Sequence, residues 1–159
     1  MAKLNVMLLG FAVPEEFAQK LFAMDTAPAI QTQKFGWSLA QALKFGFNKV
    51  LLASVSPIQN FPLGRRVIFR GERFSENGID GVMLGFINLI ILKHLTRLVA
   101  CCVVLPGIIR RHNVSWLFIH GVHTPFLLFG VFVRIFGIKV AVVLTDPPGV
   151  ILPTDGALS

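Results

Sequence analysis

The chain has 159 residues, of which 54% are hydrophobic and 14% are charged, and its formal net charge is +7. This length is enough for one domain with a hydrophobic core, and we expect residues 1–159 to form a single domain. The composition is typical of a sheet covered by helices on both faces, and it also suits a protein that touches a membrane or a second domain. Neither a nucleic-acid-binding module nor a dense basic helix is recognisable, so nucleic acid is not an expected partner.

The first third of the chain predicts two buried strands joined through a helix. Residues 4–11 form an apolar strand that ends in a glycine-containing turn. A long loop over residues 12–29 contains a helical turn near residues 15–22. The next helix begins near Ala29 or Ile30 and stops at Gly46. Residues 50–55 then form the second strand.

The middle of the chain predicts further strands and a helix. Residues 66–70 form a short strand, a polar loop continues through Asn77, and residues 79–87 form another strand-like run. A helix follows from residue 89 to about residue 105, where Pro106-Gly107 breaks or kinks it.

Positive charge is concentrated in the second half of the sequence. Residues 81–145 contain no Asp or Glu, and a field of one sign attracts anions such as lipid headgroups and phosphates. The simpler interpretation is that cations near helix ends complement the helix dipole. The candidates for contact with a membrane surface are Lys93, Arg97, Arg110 and Arg111.

Residues 114–148 are the most informative stretch, because they predict strand, turn, helix and strand in succession. After an apolar strand at residues 116–119, Thr124 caps a helix and Pro125 fits its first turn. The helix closes at Gly137, and a β-branched run forms the last strand. The whole order predicts an α/β fold: a doubly wound, mostly parallel Rossmann-like sheet with helices on both faces.

Polar side chains at the carboxyl ends of these strands define a candidate site, because ligands of open α/β sheets bind at that edge. A helix start offers free N–H groups to phosphate. A histidine beside a helix N-terminus stays neutral and can donate to a sugar hydroxyl or a phosphate oxygen. The candidate residues for substrate or phosphate binding are Ala29, Ile30, Gln31, His120, His123, Thr145 and Asp146.

Each of these residues also has a purely structural interpretation. The turn before residue 30 can be a plain connection, the two histidines can be hydrogen-bonded turn residues, and Asp146 can cap a turn. Two histidines spaced by three could form half of a metal site, but no third ligand is near in sequence, so no metal is expected. The chain contains no Gly-x-Gly-x-x-Gly, Walker loop or nucleophile elbow, and it predicts no catalytic residue.

Three segments carry a resemblance to a known family. The first comprises the strand at residues 4–11, the helix at 30–46 and the strand at 50–55. The second runs from residue 114 through Thr124-Pro125-Phe126-Leu127-Leu128, and the third runs from residue 137 to Thr145-Asp146-Pro147-Pro148. Together they resemble the N-terminal half of GT-B glycosyltransferases, in particular the glycosyltransferase family 4-like N-terminal domain.

The resemblance implies the acceptor-side domain of an enzyme that transfers a sugar from a nucleotide-sugar donor to a glycan or lipid-linked acceptor. The donor is a substrate, so no cofactor is implied. The implied location is cytoplasmic, with peripheral contact at the inner face of the cell membrane. Relatives often have a Gly-Gly pair where this chain has Ile30-Gln31, so a tight backbone approach to a donor diphosphate is not expected.

A full GT-B enzyme also has a C-terminal Rossmann-like domain that holds most donor contacts, and these 159 residues do not include it. We therefore expect the isolated chain to be inactive, because stabilising a departing diphosphate requires both walls of the site. The chain is then a fragment, a truncated reading frame or one half of a split enzyme. Two alternatives remain open: a non-catalytic membrane-recruiting or scaffolding subunit of a split glycosyltransferase, and a small integral membrane protein.

Overall fold

The computed structural model of the protein describes residues 4–25 and 28–144. This part of the chain contains eight strands and four helices. The strands are β1 (Asn5–Gly10), β2 (Lys49–Ser54), β3 (Ile68–Phe69), β4 (Glu72–Glu76), β5 (Ile79–Met83), β6 (Phe86–Ile87), β7 (Val114–His120) and β8 (Lys139–Val143). The helices are α1 (Glu15–Phe22), α2 (Ile30–Gly46), α3 (Ile90–Arg111) and α4 (Thr124–Arg134).

Six of the strands form one sheet in the order β4-β5-β2-β1-β7-β8. β1 pairs in parallel with β2 and β7, and parallel pairing continues to β5 on one side and to β8 on the other. The edge strand β4 runs antiparallel to β5. β3 and β6 form a separate antiparallel pair. The predicted α/β class with a mostly parallel sheet is confirmed.

β1 lies in the middle of the sheet and is buried on both faces. Met7 and Leu9 belong to a core cluster that also contains buried residues of α3 and α4. Val6 and Leu8 point to the opposite face and pack in a cluster with Ala40 of α2. Because side chains alternate along a strand, an uninterrupted apolar run is what a strand covered on both faces requires.

The polar loop predicted through Asn77 is wrong, because β4 forms there and pairs with β5. Asn77 and Gly78 have φ values of 53° and 69°, and they connect Glu76 to its partner Ile79. Asn-Gly with two positive φ angles is the preferred two-residue hairpin turn. This turn signal lies in the sequence, but the charged strand in front of it does not show the apolar alternation expected of a strand.

The helix end predicted near residue 105 is also wrong, because α3 continues through Pro106 to Arg111. A helical proline leaves the carbonyl four residues earlier without its bond. Here that residue is Cys102, which is exposed, so solvent can satisfy its carbonyl group. Pro106 therefore does not end the helix.

α3 is long and apolar enough to cross a membrane by length and composition alone. In this fold it packs against α4 and β6. Its buried stripe repeats every four residues and consists of Lys93, Arg97, Cys101, Leu105 and Ile109. The stripe makes α3 a wall of the domain core, and it places two cations at core positions.

Replacement of Phe129 by alanine tests the packing of α4. Phe129 is fully buried, and we expect Phe129→Ala to lower the free energy of unfolding by about 3–5 kcal/mol because it leaves a cavity. Phe132 is 38% exposed, so Phe132→Ala should cost less than half as much. Urea denaturation measures both variants, and equal losses would contradict this orientation of the helix.

Candidate functional site

The strand order reverses at β1, where the chain proceeds to β2 on one side and later returns as β7 on the other. Such a reversal opens a crevice at the carboxyl ends of the two strands, and this crevice is where open α/β sheets bind ligands. Gly10 ends β1 and His120 ends β7. A Cβ atom at Gly10 would lie 2.9 Å from the Cβ of His120, so glycine permits the two strands to end side by side.

A cavity of about 310 Å³ lies at this edge of the sheet, and we call it the switch-point cleft. Segments that follow β1 and β2 form part of its wall, and the start of α2 and the buried stripe of α3 complete it. The lining residues are Phe11, Asp25, Ala29, Thr32, Pro57, Ile58, Gln59 and Arg97. Four separate segments of the chain thus converge on one cavity.

Gln33 fixes the segment after β1 to α2. Its side chain is buried; Oε1 accepts from the backbone N–H of Val13 at 2.9 Å, and Nε2 donates to the carbonyl of the same residue at 2.5 Å. The indole of Trp37 donates to that carbonyl as well, at 2.9 Å. The Ser54 hydroxyl donates to the carbonyl of Ala12. These bonds hold Phe11 and its neighbours at the cleft.

Asn88 fixes the segment after β2 to the start of α3. The side chain is fully buried, and its amide donates to the carbonyl of Gln59 at 2.8 Å and to that of Arg66 at 3.0 Å. The backbone carbonyl of Asn88 accepts from the backbone N–H of Phe61. Asn88 was predicted to cap this helix; this is wrong, because Leu89 is the N-cap of α3 and no side-chain capping bond is made. No role was predicted for Gln33, although a polar amide among apolar neighbours is a signal of this kind of anchor.

Arg97 is a cation that lines the cleft, and it is only 3% exposed. Nη2 donates to the carbonyl of Ser56 at 2.9 Å, and Nη1 lies 3.2 Å from Nε2 of His123. The guanidinium lies over the ring of Phe86, 4.2 Å from its centroid. The buried Nε atom has no hydrogen-bond partner among the described residues.

Lys93 lies one turn before Arg97 and is 6% exposed. Its ammonium group donates to the carbonyl of Ile58 and to Oδ1 of Asn60. The prediction that Lys93 and Arg97 contact a membrane surface is therefore wrong. The sequence showed that the two cations share one side of the helix, but it did not show that this side faces the core.

Neither cation has a carboxylate within 4 Å in the described part of the chain, where the ion pairs are Lys20–Glu16 and Lys49–Asp80. Burial lowers the pKa of Arg97 to about 9. Burial and the charge of Arg97 lower the pKa of Lys93 to about 8, against the opposing effect of Asp25. The cleft therefore holds two buried positive charges that repel each other.

His123 is neutral and its tautomer follows from its neighbour. A guanidinium can only donate hydrogen bonds, so Nε2 of His123 accepts from Arg97 and the ring proton lies on Nδ1. Burial, then Arg97, then His94 and Lys93 lower the pKa of His123 to about 3. The neutral ring was predicted, but its causes are burial and neighbouring cations, where the sequence had suggested the helix N-terminus.

His120 lies deeper than His123 and is 2% exposed. Its ring packs 4.9 Å from the ring of Phe35 on α2, and burial lowers its pKa. Nδ1 has no partner among the described residues. His120 therefore packs against α2 and His123 lies beside Arg97, and neither histidine is among the residues that line the cleft.

The remaining predicted residues fall in different places. Ala29 lines the cleft, whereas Ile30 and Gln31 are exposed and do not line it; the N–H of Ile30 already donates to the carbonyl of Pro28 at 2.9 Å. Thr145 and Asp146 lie outside the described residues.

The predicted cap of α4 is corrected by one position. His123 is the N-cap, and Thr124 is the first helical residue, with no side-chain capping bond. Pro125 lies in the first turn, as predicted. The start of α4 therefore has no side-chain cap, and the half-buried His123 occupies the N-cap position.

Two larger cavities lie away from the carboxyl ends of β1 and β7. One, of about 430 Å³, is lined by β4, β5 and the end of α3, including Asp80, which is paired with Lys49 at 3.1 Å. The other, of about 480 Å³, is mainly apolar and lies between the ends of α3 and α4, beside Phe132 and Phe136. Neither contains an unpaired buried charge like that of Arg97, so the switch-point cleft is the stronger candidate.

The sides of α3 and α4 that face away from the sheet form an exposed apolar surface, which we call the outer face. Its residues are Ile91, Leu95, Val99, Val103, Leu128 and Val131, all at least half exposed. Arg110 and Arg111 are exposed at the end of α3, and Arg134 is exposed at the end of α4. The outer face is thus apolar with a basic end.

In the part of the chain that the structure describes, His, Cys, Asp and Glu side chains do not gather in a group of three that could hold a metal ion. The polar side chains that line the cleft are those of Arg97, Asp25, Thr32 and Gln59, while His123 adjoins Arg97 and Lys93 lies one turn before it. Comparison with known proteins finds no match to this chain among family models, curated proteins or solved structures.

Proposed function

We propose that this chain is the N-terminal, acceptor-side domain of a GT-B glycosyltransferase, with a doubly wound Rossmann-like sheet. It acts with a second domain or subunit to transfer a sugar from a nucleotide-sugar donor to a glycan or lipid-linked acceptor. The observation that carries the proposal is the switch-point cleft, where buried cations and a neutral histidine meet the start of a helix.

The composition of the cleft suits a phosphorylated or hydroxylated ligand. Arg97 supplies fixed donors, and the first turn of α2 supplies the positive end of a helix dipole. His123 is held neutral, and a neutral imidazole can donate to a hydroxyl or accept its proton. A cavity that opens at a sheet edge also leaves room for a second domain to complete the site.

A transfer assay with a blocked cleft tests this function. We would purify the tagged chain from its native cells together with its bound partners, and supply labelled nucleotide sugars with lipid and glycan extracts as acceptors. Ala29→Trp places a large side chain in the cleft, and we expect it to lower transfer by on the order of 100-fold, because a displaced acceptor is no longer aligned for attack.

Ser38→Trp is the matched control, because Ser38 is exposed on the same helix and does not line the cleft. It should transfer sugar as the wild type does. The proposal fails if the wild-type preparation transfers no sugar above that of untagged cells, or if Ala29→Trp has no effect. The 159-residue chain produced alone should show no turnover, since it supplies one wall of the site.

A second candidate function, membrane recruitment of a partner subunit, is favoured by the outer face. An apolar surface with cations at one end suits a bilayer that contains anionic lipids. The apolar cavity between the ends of α3 and α4 adjoins this surface. Recruitment and acceptor binding are compatible, since the outer face and the cleft use different sides of α3.

A further inference from the structure

We propose that Arg97 and Lys93 form a binding subsite for a phosphoryl anion within the switch-point cleft. This inference rests on the proposed function, which it deepens by naming the group that the cleft holds: a phosphate mono- or diester carried by the acceptor. Free phosphate, a nucleotide and a lipid phosphate share this chemistry.

The first argument is the burial of two positive charges near a single carboxylate, that of Asp25. Arg97 is 3% exposed and Lys93 is 6% exposed, and the ion pairs of the described residues do not include either. Buried charges are normally paired or bound to a ligand, because leaving water is costly for an ion. An anion in the cleft supplies the missing partner.

The second argument is the donors that remain on Arg97. A guanidinium has five N–H donors, and the described contacts account for one to Ser56 and one to His123. The Nε–H is buried and has no protein partner in the described residues. Arg97 also lines the cleft, and its remaining Nη N–H groups suit the oxygens of a tetrahedral anion.

The third argument is that independent elements hold the subsite in place. Ser56 and the ring of Phe86 fix the guanidinium, while Ile58 and Asn60 fix the ammonium group of Lys93. Thr32, in the first turn of α2, lines the same cavity, and a helix start favours an anion. The site is thus built before a ligand arrives.

The charge balance around the cleft favours an anionic ligand. The titratable groups around the cleft are Arg97, Lys93, Asp25, His123 and His94. Asp25 contributes one negative charge, and its Oδ2 accepts from the backbone N–H of Gln59 at 3.2 Å. Two cations therefore face one carboxylate, and a ligand with one negative charge neutralises the remaining positive charge. The fork of Arg97 suits the tetrahedral oxygens of a phosphate ester.

Titration calorimetry with inorganic pyrophosphate tests the subsite on the purified chain. We expect Arg97→Met and Lys93→Met each to weaken binding by about tenfold or more, as loss of a charged hydrogen bond predicts. Arg97→Lys should restore part of the affinity, because it keeps the charge and loses the fork. Arg134→Met, which removes an exposed arginine of α4, should bind like the wild type.

Three further probes identify the source of the phosphate: inorganic phosphate, uridine diphosphate and soluble dihexanoyl phosphatidic acid. If any of these probes binds in a way that depends on Arg97, the subsite is supported. The probe with the highest affinity identifies the source of the phosphate. Binding that is unchanged in both Met variants, or no binding to any probe, overturns it. Circular dichroism verifies that each variant is folded, and Lys93→Met serves if Arg97→Met is not.

Proton uptake gives a second measurement that does not depend on affinity. An anion beside Lys93 raises its pKa from about 8, so binding at pH 8.5 should take up protons. Calorimetry in two buffers of different ionisation enthalpy measures this uptake, and Lys93→Met should reduce it. Phosphate binding without sugar transfer would support the subsite and contradict the proposed transferase function. Sugar transfer that is insensitive to Arg97→Met would support the transferase function and contradict the subsite.

Discussion

Lowering the pH from 7 to 4 should destabilise the wild-type protein by about 3 kcal/mol more than the His123→Gln variant. The folded state holds the pKa of His123 at about 3, whereas an unfolded histidine has a pKa of about 6.5. Between these two pKa values the unfolded chain binds a proton at His123 and the native state does not. The free energy of unfolding therefore falls as the pH falls from about 6.5 to about 3. Above pH 6.5 neither state is protonated, and the effect vanishes.

Urea denaturation at pH 7, 5.5 and 4 measures this difference, and NMR of the His123 ring follows the titration directly. Val122→Gln is the control, because it introduces the same amide at an exposed neighbouring position and removes no titrating group. It should keep the acid dependence of the wild type. A His123 ring that titrates near pH 6.5, or a variant with the wild-type pH dependence, contradicts a neutral, half-buried His123 that accepts from Arg97.

Co-sedimentation with phosphatidylserine vesicles should fall by about tenfold or more in the double variant Val99→Glu/Val103→Glu. Both valines are exposed on the outer face, and their contact with lipid should contribute a few kcal/mol of binding. Two carboxylates there also repel an anionic bilayer. Phe45→Glu is the control, since Phe45 is 89% exposed on α2, which packs on the other side of the sheet.

Salt and alkali distinguish how the protein meets the membrane. Added salt should weaken wild-type binding, because Arg110, Arg111 and Arg134 attract anionic headgroups through solvent. Alkaline carbonate should release the protein from membranes, since α3 packs in the domain core. Membrane recruitment fails if the wild type does not sediment with vesicles, or if the double variant sediments equally well; a protein partner then covers the outer face.

Two errors in the predicted elements have the same physical origin. β4 is charged and lacks an apolar face, and it becomes a strand because β5 supplies the hydrogen-bonding partner through the Asn77-Gly78 turn. Pro106 stays within α3 because the carbonyl it leaves unbonded lies on the exposed side of the helix. Local propensity does not contain either fact, since both depend on what surrounds the segment.

The residues predicted for the cleft also show which features depend on local sequence and which depend on surrounding structure. His120 and His123 were assigned to the end of a strand, and that strand, β7, does end beside β1. Ile30 and Gln31, chosen from the start of a helix, point outwards instead. Two residues that do line the cleft were not predicted there. Thr32 was not predicted as a site residue, and Arg97 was assigned to a membrane surface.

The sequence alone determined the α/β class, the bounds of α1 and α2, and the polar ends of the strands, because apolar periodicity and turn residues are local signals. The tertiary structure alone decided the strand order and the rotation of α3 about its axis. That rotation places Lys93 and Arg97 against the segment that follows β2, and it turns the apolar side chains of the outer face towards solvent. An apolar helix with two cations has more than one side that could be buried. The positions of β6 and α4 decide which side of α3 faces the core.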